Sequence, residues 1–200
     1  MYRFYLAAAD MLPSVAVFIP IYCILSRFYY HSAGKTILYF LFSCYLSAVY
    51  VLVGLPNVTY IRQEMNLNLI PFIGLIADFQ NSVLNILLFI PLGIMLPALW
   101  KKYRVLKRTL LFGFAMSIAI ELLQILTFRA TDVNDLITNT VGTFLGFLFA
   151  KTFIKKFPAA KDPADTTNSE ELIVVSVIVW LVMFFIYPFV SALFWDLILS

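Results

Sequence analysis

The chain has 200 residues, of which 62% are hydrophobic and only 12% are charged. A soluble domain of this size is closer to half apolar and a quarter charged, so the composition excludes an ordinary water-soluble fold. The net charge of +3 is small and does not indicate nucleic-acid binding. The composition therefore predicts an integral membrane protein, in which the spanning segments are helices.

Six apolar stretches approach the length of about 20 residues that a spanning helix needs. Pro188 lies in the last of them and is expected to kink it. The sequence thus predicts an all-α, polytopic bundle of about six transmembrane helices. The six stretches are Met11–Tyr30, Thr36–Leu55, Ser82–Trp100, Thr109–Phe128, Leu136–Ile154 and Leu172–Phe194.

The connections predict how the chain is organised. Residues 1–67 form the first two helices and an outer loop, and residues 68–154 form a core with three helices. Residues 155–171, which contain Pro and mixed charges, form a cytoplasmic linker before the sixth helix at 172–200. The long connection Pro56–Asn81 is partly apolar, so it is expected to lie in the outer interface or to re-enter the membrane.

The basic residues predict the orientation, because Lys and Arg favour cytoplasmic loops. If the N-terminus is outside, the inner segments hold eleven of the 14 basic residues, and both termini are extracytoplasmic. The inner residues are Arg27, Lys35, Lys101, Lys102, Arg104, Lys107, Arg108, Lys151, Lys155, Lys156 and Lys161. The outer residues are Arg3, Arg62 and Arg129.

An acidic residue, Glu121, lies inside the fourth predicted helix, about seven residues from its outer end. An ionisable group within a membrane helix is costly, so it should face a polar interior and have a partner. Gln124, three residues further on, shares its helix face. Arg129 follows in the short outer loop, and it is the natural partner for the carboxylate.

The fifth predicted helix starts with a polar stripe. Asp132 and Asp135 are three residues apart, and Asn139 is four residues after Asp135, so all three share one face. Gly142 and Gly146 continue the stripe at a spacing that allows a neighbouring helix to approach closely.

The start of the third helix adds Asn81 and Asn85, also four residues apart. By the predicted topology, the third and fifth helices enter from outside and the fourth leaves to outside. The polar groups of all three helices should therefore converge near the outer leaflet. The candidate ligand-binding residues are Asn85, Glu121, Gln124, Arg129, Asp132, Asp135 and Asn139.

Structural roles for these residues stay open as alternatives. Asp132 and Asp135 are good helix N-caps, and Asn85 and Asn139 are suited to hydrogen bonds between helices. The two cysteines, Cys23 and Cys44, lie in apolar segments and have no metal-ligand or redox spacing.

Four stretches follow one another in a particular order and spacing. They are Asn68-Leu69-Ile70-Pro71-Phe72, Asn85-Ile86-Leu87-Leu88-Phe89-Ile90-Pro91-Leu92-Gly93, Ile120-Glu121-Leu122-Leu123-Gln124 and Arg129-x-x-Asp132-x-x-Asp135-Leu136-Ile137-x-Asn139-Thr140-x-Gly142. In this order and spacing, they resemble the VanZ family of bacterial membrane proteins, named after a glycopeptide (teicoplanin) resistance protein. The similarity covers about residues 68–151. One departure is Asn134, where many relatives carry Asp.

The resemblance implies a multi-pass protein of the bacterial cell membrane with a link to antibiotic resistance and the cell envelope. One reading is an envelope protein that binds or modulates a lipid-linked head group at the outer leaflet, with membrane lipids and lipid-linked precursors as partners. Arg129 would then hold a phosphate or carboxylate.

The alternative is an intramembrane enzyme that modifies a lipid-linked substrate. Glu121 would be the catalytic base, or Asp132 and Asp135 would hold a divalent cation, which would be the cofactor. The sequence has no Ser/His/Asp, Cys/His or His-rich pattern that favours this reading. A small transporter is disfavoured because no inverted repeat is evident.

Overall fold

The computed structural model describes residues 2–59, 61, 67–68, 79–127, 131–156 and 169–199, and these residues are almost entirely helical. π-Helical turns at Ser26–Tyr30 and Val182–Ile186 extend α1 and join α6 to α7, so the described residues form six helical rods. The predicted all-α bundle is confirmed. The helices are α1 (Tyr2–Leu25), α2 (Ala33–Leu52), α3 (Phe79–Leu99), α4 (Leu106–Gln124), α5 (Val133–Lys156), α6 (Ser169–Leu181) and α7 (Tyr187–Leu199).

Five of the six rods are long and apolar enough to cross a membrane: Asp10–Tyr30, Ala33–Leu52, Phe79–Leu99, Val133–Phe153 and Glu170–Ile198. They match five of the six predicted spans. The sixth, α4, has 19 residues but carries Lys107 and Arg108 in its first turn and Glu121 in its last. Because α4 has charged residues near both ends, its uninterrupted apolar stretch is shorter than those of the other rods.

The helix α4 ends earlier than the sequence predicted. It stops at Gln124 and not at Phe128, because Leu126 N–H and Thr127 N–H bond back to the carbonyls of Leu123 and Gln124, at 3.0 and 2.9 Å. These hydrogen bonds join residues three positions apart, as in a 3₁₀ helix, and they end the α-helix. Glu121 is therefore in the last turn of α4, about 5 Å along the axis from its end and not about 10 Å as the predicted boundary implied.

The chain divides into two compact units, Met1–Ile61 with Glu170–Ser200, and Arg62–Ser169. Unit 1 therefore contains α1, α2 and the rod α6–α7, and unit 2 contains α3, α4 and α5. The rod at the C-terminal end, which follows the predicted linker, packs with the first two helices.

In unit 1, α1 and α2 form a tight helical hairpin. His31 has a left-handed backbone (φ 50°), which reverses the chain within a few residues. Ser32 then caps α2 by accepting the N–H of Lys35 at 3.5 Å. Within the hairpin, the Tyr22 hydroxyl and the Ser43 hydroxyl share a hydrogen bond of 2.5 Å.

Polar contacts attach the α6–α7 rod to this hairpin. Lys35 Nζ and Glu171 Oε1 form an ion pair of 3.1 Å, and the Tyr39 hydroxyl donates to the other oxygen of Glu171. Near the far end of the rod, Trp195 Nε1–H donates to Asp10 Oδ1 at 2.9 Å. The rod is thus bound at both ends.

The hydrogen bonding of the α6–α7 rod is interrupted near Pro188, where the sequence predicted a kink. Pro188 has no N–H, so it cannot donate to the carbonyl of Phe184 four residues earlier. That carbonyl instead accepts the N–H of Val58, at 3.1 Å. The π-helical turn Val182–Ile186 lies immediately before this point.

Unit 2 is built on a close approach of α3 and α5. A Cβ atom added at Gly142 or Gly146 would collide with the backbone carbonyl oxygen of Ile86 or Ile90. The prediction that these glycines let a neighbouring helix approach is therefore confirmed, and the neighbour is α3. Since Ile86 faces Gly142 and Ile90 faces Gly146, α3 and α5 run parallel, as the alternating topology requires.

Candidate functional site

One face of α4 is turned toward α5 and is lined by small or polar residues four positions apart. Gly113 lies against Thr143, Ser117 bonds to Asn139, and the carboxylate of Glu121 reaches the start of α5. The two helices are antiparallel here. The polar groups thus form a series that starts at the beginning of α5 and continues inward.

The outermost contact joins two acidic residues through the backbone. Glu121 Oε2 accepts the N–H of Asp132 at 3.0 Å, and Glu121 is only 4% exposed. Asp132 Oδ1 in turn accepts the N–H of Asn134 at 2.9 Å. Asp132 is therefore the N-cap of α5, which was one of the structural roles left open by the sequence. Both carboxylates lie at the positive end of the α5 dipole, which favours their negative charge.

The innermost contact is made by Asn139, about 10 Å along α5 from Asp132. Its Nδ2 donates to the Ser117 hydroxyl at 2.8 Å, which is the interhelical bond that the sequence offered as an alternative. Its Oδ1, however, is buried and accepts no hydrogen bond from any described residue. A buried acceptor without a partner in the described protein normally contacts a water or a ligand.

The remaining predicted residues differ in position. Gln124 shares the buried face of Glu121 and is also 4% exposed. Asp135 is partly exposed at the start of α5, and Asn85 is partly exposed on α3. The described hydrogen bonds do not join Asn85 to Glu121 or Asn139. Arg129, the predicted partner of the carboxylates, lies outside the described residues.

Two residues of the site were not among the predicted ones. Ser117 lies four residues before Glu121 on the same face of α4, and that spacing was the available signal. Asn134 was noted only as a departure from the family, yet it is 4% exposed, and its backbone N–H binds the Asp132 cap. We name the set Ser117, Glu121, Gln124, Asp132, Asn134 and Asn139 the α4–α5 polar cluster.

Two described residues from the connection before α3 lie at the start of α5. Leu67–Asn68 and Thr131–Asp132 form a two-residue parallel pairing, with Asn68 opposite Asp132. Asn68, the first residue of the family-like stretch, is thus paired with the N-cap residue of α5.

The acidic groups do not assemble into a recognisable metal set in the part of the chain that the structure describes. No three His, Cys, Asp or Glu side chains there are grouped so that they could hold a metal ion.

Comparison with known proteins places these features in a family. The sequence profile of the VanZ/LLP1 family matches residues 40–155. "Protein VanZ" of Enterococcus faecium is 38% identical over 84 residues, which are 42% of this chain and 51% of that protein. The chain thus spans about half the length of this curated relative.

No solved structure matches the chain. The matched region contains α3, α4, α5 and the α4–α5 polar cluster, together with most of α2. The described part of the chain has five helices able to span a bilayer, and the chain belongs to the VanZ/LLP1 family and is a multi-pass protein of the bacterial membrane.

Proposed function

We propose that this protein binds a polar head group of a lipid-linked cell-envelope precursor at the α4–α5 polar cluster, and that this binding contributes to glycopeptide tolerance. The observation that carries the proposal is the buried Oδ1 of Asn139, which accepts no hydrogen bond within the described chain. Asn139 lies two helical turns along α5 from Asp132, in the series of polar groups that begins at Glu121 and Asp132.

The chemistry of the cluster favours a ligand that donates hydrogen bonds. The Asn139 oxygen and the carboxylates of Glu121 and Asp132 are acceptors, so hydroxyl, amide or ammonium groups suit them. A bare phosphate does not, because several acids would repel it. Arg129 is the one basic residue close to these acids in sequence, and it would hold a phosphate or carboxylate of the same ligand.

The predicted orientation gives this ligand access. With both termini outside, the start of α5 lies at the outer leaflet, where the head groups of lipid-linked precursors are exposed. The family connection to a glycopeptide resistance protein supports the choice of glycopeptide susceptibility as the phenotype to measure.

The test compares two changes at Glu121 in a deletion strain complemented with each variant. Glu121→Gln keeps an oxygen that can accept the N–H of Asp132, so the protein should remain folded and present at wild-type levels. Because the negative charge is lost, teicoplanin tolerance should fall toward that of the deletion strain. Glu121→Ala also removes the acceptor of the part-buried Asp132 N–H, which costs up to about 1–3 kcal/mol of stability.

The matched control is Glu170→Gln, the same chemical change at an exposed residue of unit 1. It should leave tolerance unchanged. If Glu121→Gln and Glu170→Gln give the same tolerance at the same protein level, the charge of Glu121 has no role in function and the proposal fails. The same assay on Arg129→Ala and Arg129→Lys should show a loss of tolerance for both.

A further inference from the structure

Unit 1 contains an open groove between the end of α1 and the start of α2. Its volume is about 760 Å³, within the range of about 300–1,000 Å³ typical of small-molecule sites. All its lining residues belong to this helical hairpin. They include Ile19, Cys23, Arg27, His31, Ile37 and Phe40.

The polarity of the groove changes along its length. Ile19 and Ile37 are 52% and 59% exposed, and both lie in helices long enough to span the membrane. Arg27 is eight residues after Ile19, about 12 Å further along the helix. An apolar path of this length corresponds to most of one leaflet's hydrocarbon layer, which is about 15 Å thick.

The polar end of the groove has an excess of positive charge. Arg27 is exposed and forms no ion pair with any described residue. The nearest other cation in sequence, Lys35, is paired with Glu171. Ser32 and Ala33 also line the groove, and they are the N-cap and first residue of α2, whose positive dipole end adds to the field of Arg27.

We propose that this groove binds one anionic phospholipid, with an acyl chain along Ile19, Cys23 and Ile37 and the phosphate at Arg27. The apolar path accommodates the chain, and the guanidinium, with its fixed array of N–H donors, suits a phosphate. None of the described residues that line the groove is acidic, so a head group with net negative charge is favoured over a zwitterionic one. This site does not depend on the function proposed for the α4–α5 polar cluster.

The experiment measures thermal stabilisation of the purified full-length protein in a neutral detergent. Phosphatidylglycerol should raise the melting temperature in a saturable manner, whereas phosphatidylcholine with the same chains should not. Glycerol phosphate should also have no effect, because it lacks the acyl chains. Arg27→Gln should weaken the apparent affinity by roughly tenfold or more, the loss expected for one charge-assisted hydrogen bond.

Matched variants separate this site from general attraction to basic residues. Lys102→Gln removes an exposed charge outside the groove and should leave the affinity unchanged, and Arg27→Lys should keep most of it. Cys23→Trp should block the groove, whereas Ile24→Trp, at a neighbouring exposed residue that does not line it, should not.

Equal stabilisation by the two phospholipids would overturn the proposal, as would equal losses in Arg27→Gln and Lys102→Gln. Stabilisation by glycerol phosphate alone would indicate a phosphate site without a lipid and would also overturn it. If Arg27→Gln does not fold, the comparison of Cys23→Trp with Ile24→Trp still decides the question.

Discussion

Asp132 has two roles, one through its side chain and one through its backbone. Substitution of the side chain can therefore test the first role separately. Its carboxylate caps α5, while its backbone N–H is bound by Glu121. Asn caps helices about as well as Asp, whereas Ala does not. Substitutions at this position can therefore remove the charge without removing the cap.

We predict that Asp132→Ala lowers the stability of the purified protein by about 1 kcal/mol, the usual contribution of an N-cap. Asp132→Asn should be clearly less destabilising, because it keeps the cap and loses only the interaction of the charge with the helix dipole, which Asp132→Ala loses as well. Unfolding followed by circular dichroism in detergent measures both. Equal destabilisation by Asn and Ala would show that the cap is not the stabilising feature.

The residues of the site differed in how well the sequence could predict them. Glu121 and Gln124 were found because ionisable and amide groups are rare in apolar helices and their spacing places them on one face. Ser117 was missed because a serine is common in a membrane helix, and its spacing from Glu121 was the one signal that it gave. Whether a side-chain atom such as Asn139 Oδ1 has a partner depends on three-dimensional packing, which periodicity does not describe.

At the level of the helix, the close contact between α3 and α5 depends on glycines, which have no side chain. A Cβ atom at Gly146 would overlap the backbone oxygen of Ile90 and would lie 2.9 Å from Gly93 Cα. The obstacle is backbone and not a flexible side chain, so the two helices would have to move apart. Close packing of this kind holds membrane helices together where the hydrophobic effect does not.

We predict that Gly146→Ala destabilises the protein by about 1–3 kcal/mol, the usual cost of overpacking a filled interface. Gly34→Ala is the matched control, because an added Cβ there meets nothing within 4 Å. It should be neutral or slightly stabilising, since Ala is a better helix former than Gly. Thermal unfolding in detergent compares the two, and equal melting temperatures would contradict the packing argument.

The positions of the helices were predictable, but their ends were less so. Long apolar runs identified all six rods, because membrane spans must be both apolar and about 20 residues long. The end of α4 was placed at Phe128, since residues 125–128 are apolar enough to continue the helix. Local turns at Leu126 and Thr127 close it earlier, and composition contains no information about them.

For the whole molecule, the orientation remains a prediction from the distribution of basic residues. After replacement of Cys23 and Cys44 by alanine, a cysteine introduced at Arg62 should react with a membrane-impermeant thiol reagent in intact cells. A cysteine at Lys102, which is exposed between α3 and α4, should react only after the cells are permeabilised. The reverse pattern would invert the topology and place the start of α5 at the cytoplasmic side.

The organisation into two units could not be read from the chain order. The sequence suggested a division before the last helix, because residues 155–171 have the composition of a linker. The packing of α6–α7 with α1 and α2 depends on pairs such as Trp195 with Asp10. Nothing in the local sequence at either position indicates that these two residues are partners.

The ion pair between Lys35 and Glu171 has a consequence for biosynthesis. The two residues are 136 positions apart, so at about 5–20 residues per second the ribosome needs roughly 7–27 s between them. All of α3, α4 and α5 are made in that interval. Phe184, whose carbonyl accepts the N–H of Val58, is made after Glu171. Unit 2 is therefore synthesised before unit 1 can close, because the α6–α7 rod that packs with α1 and α2 is made after it.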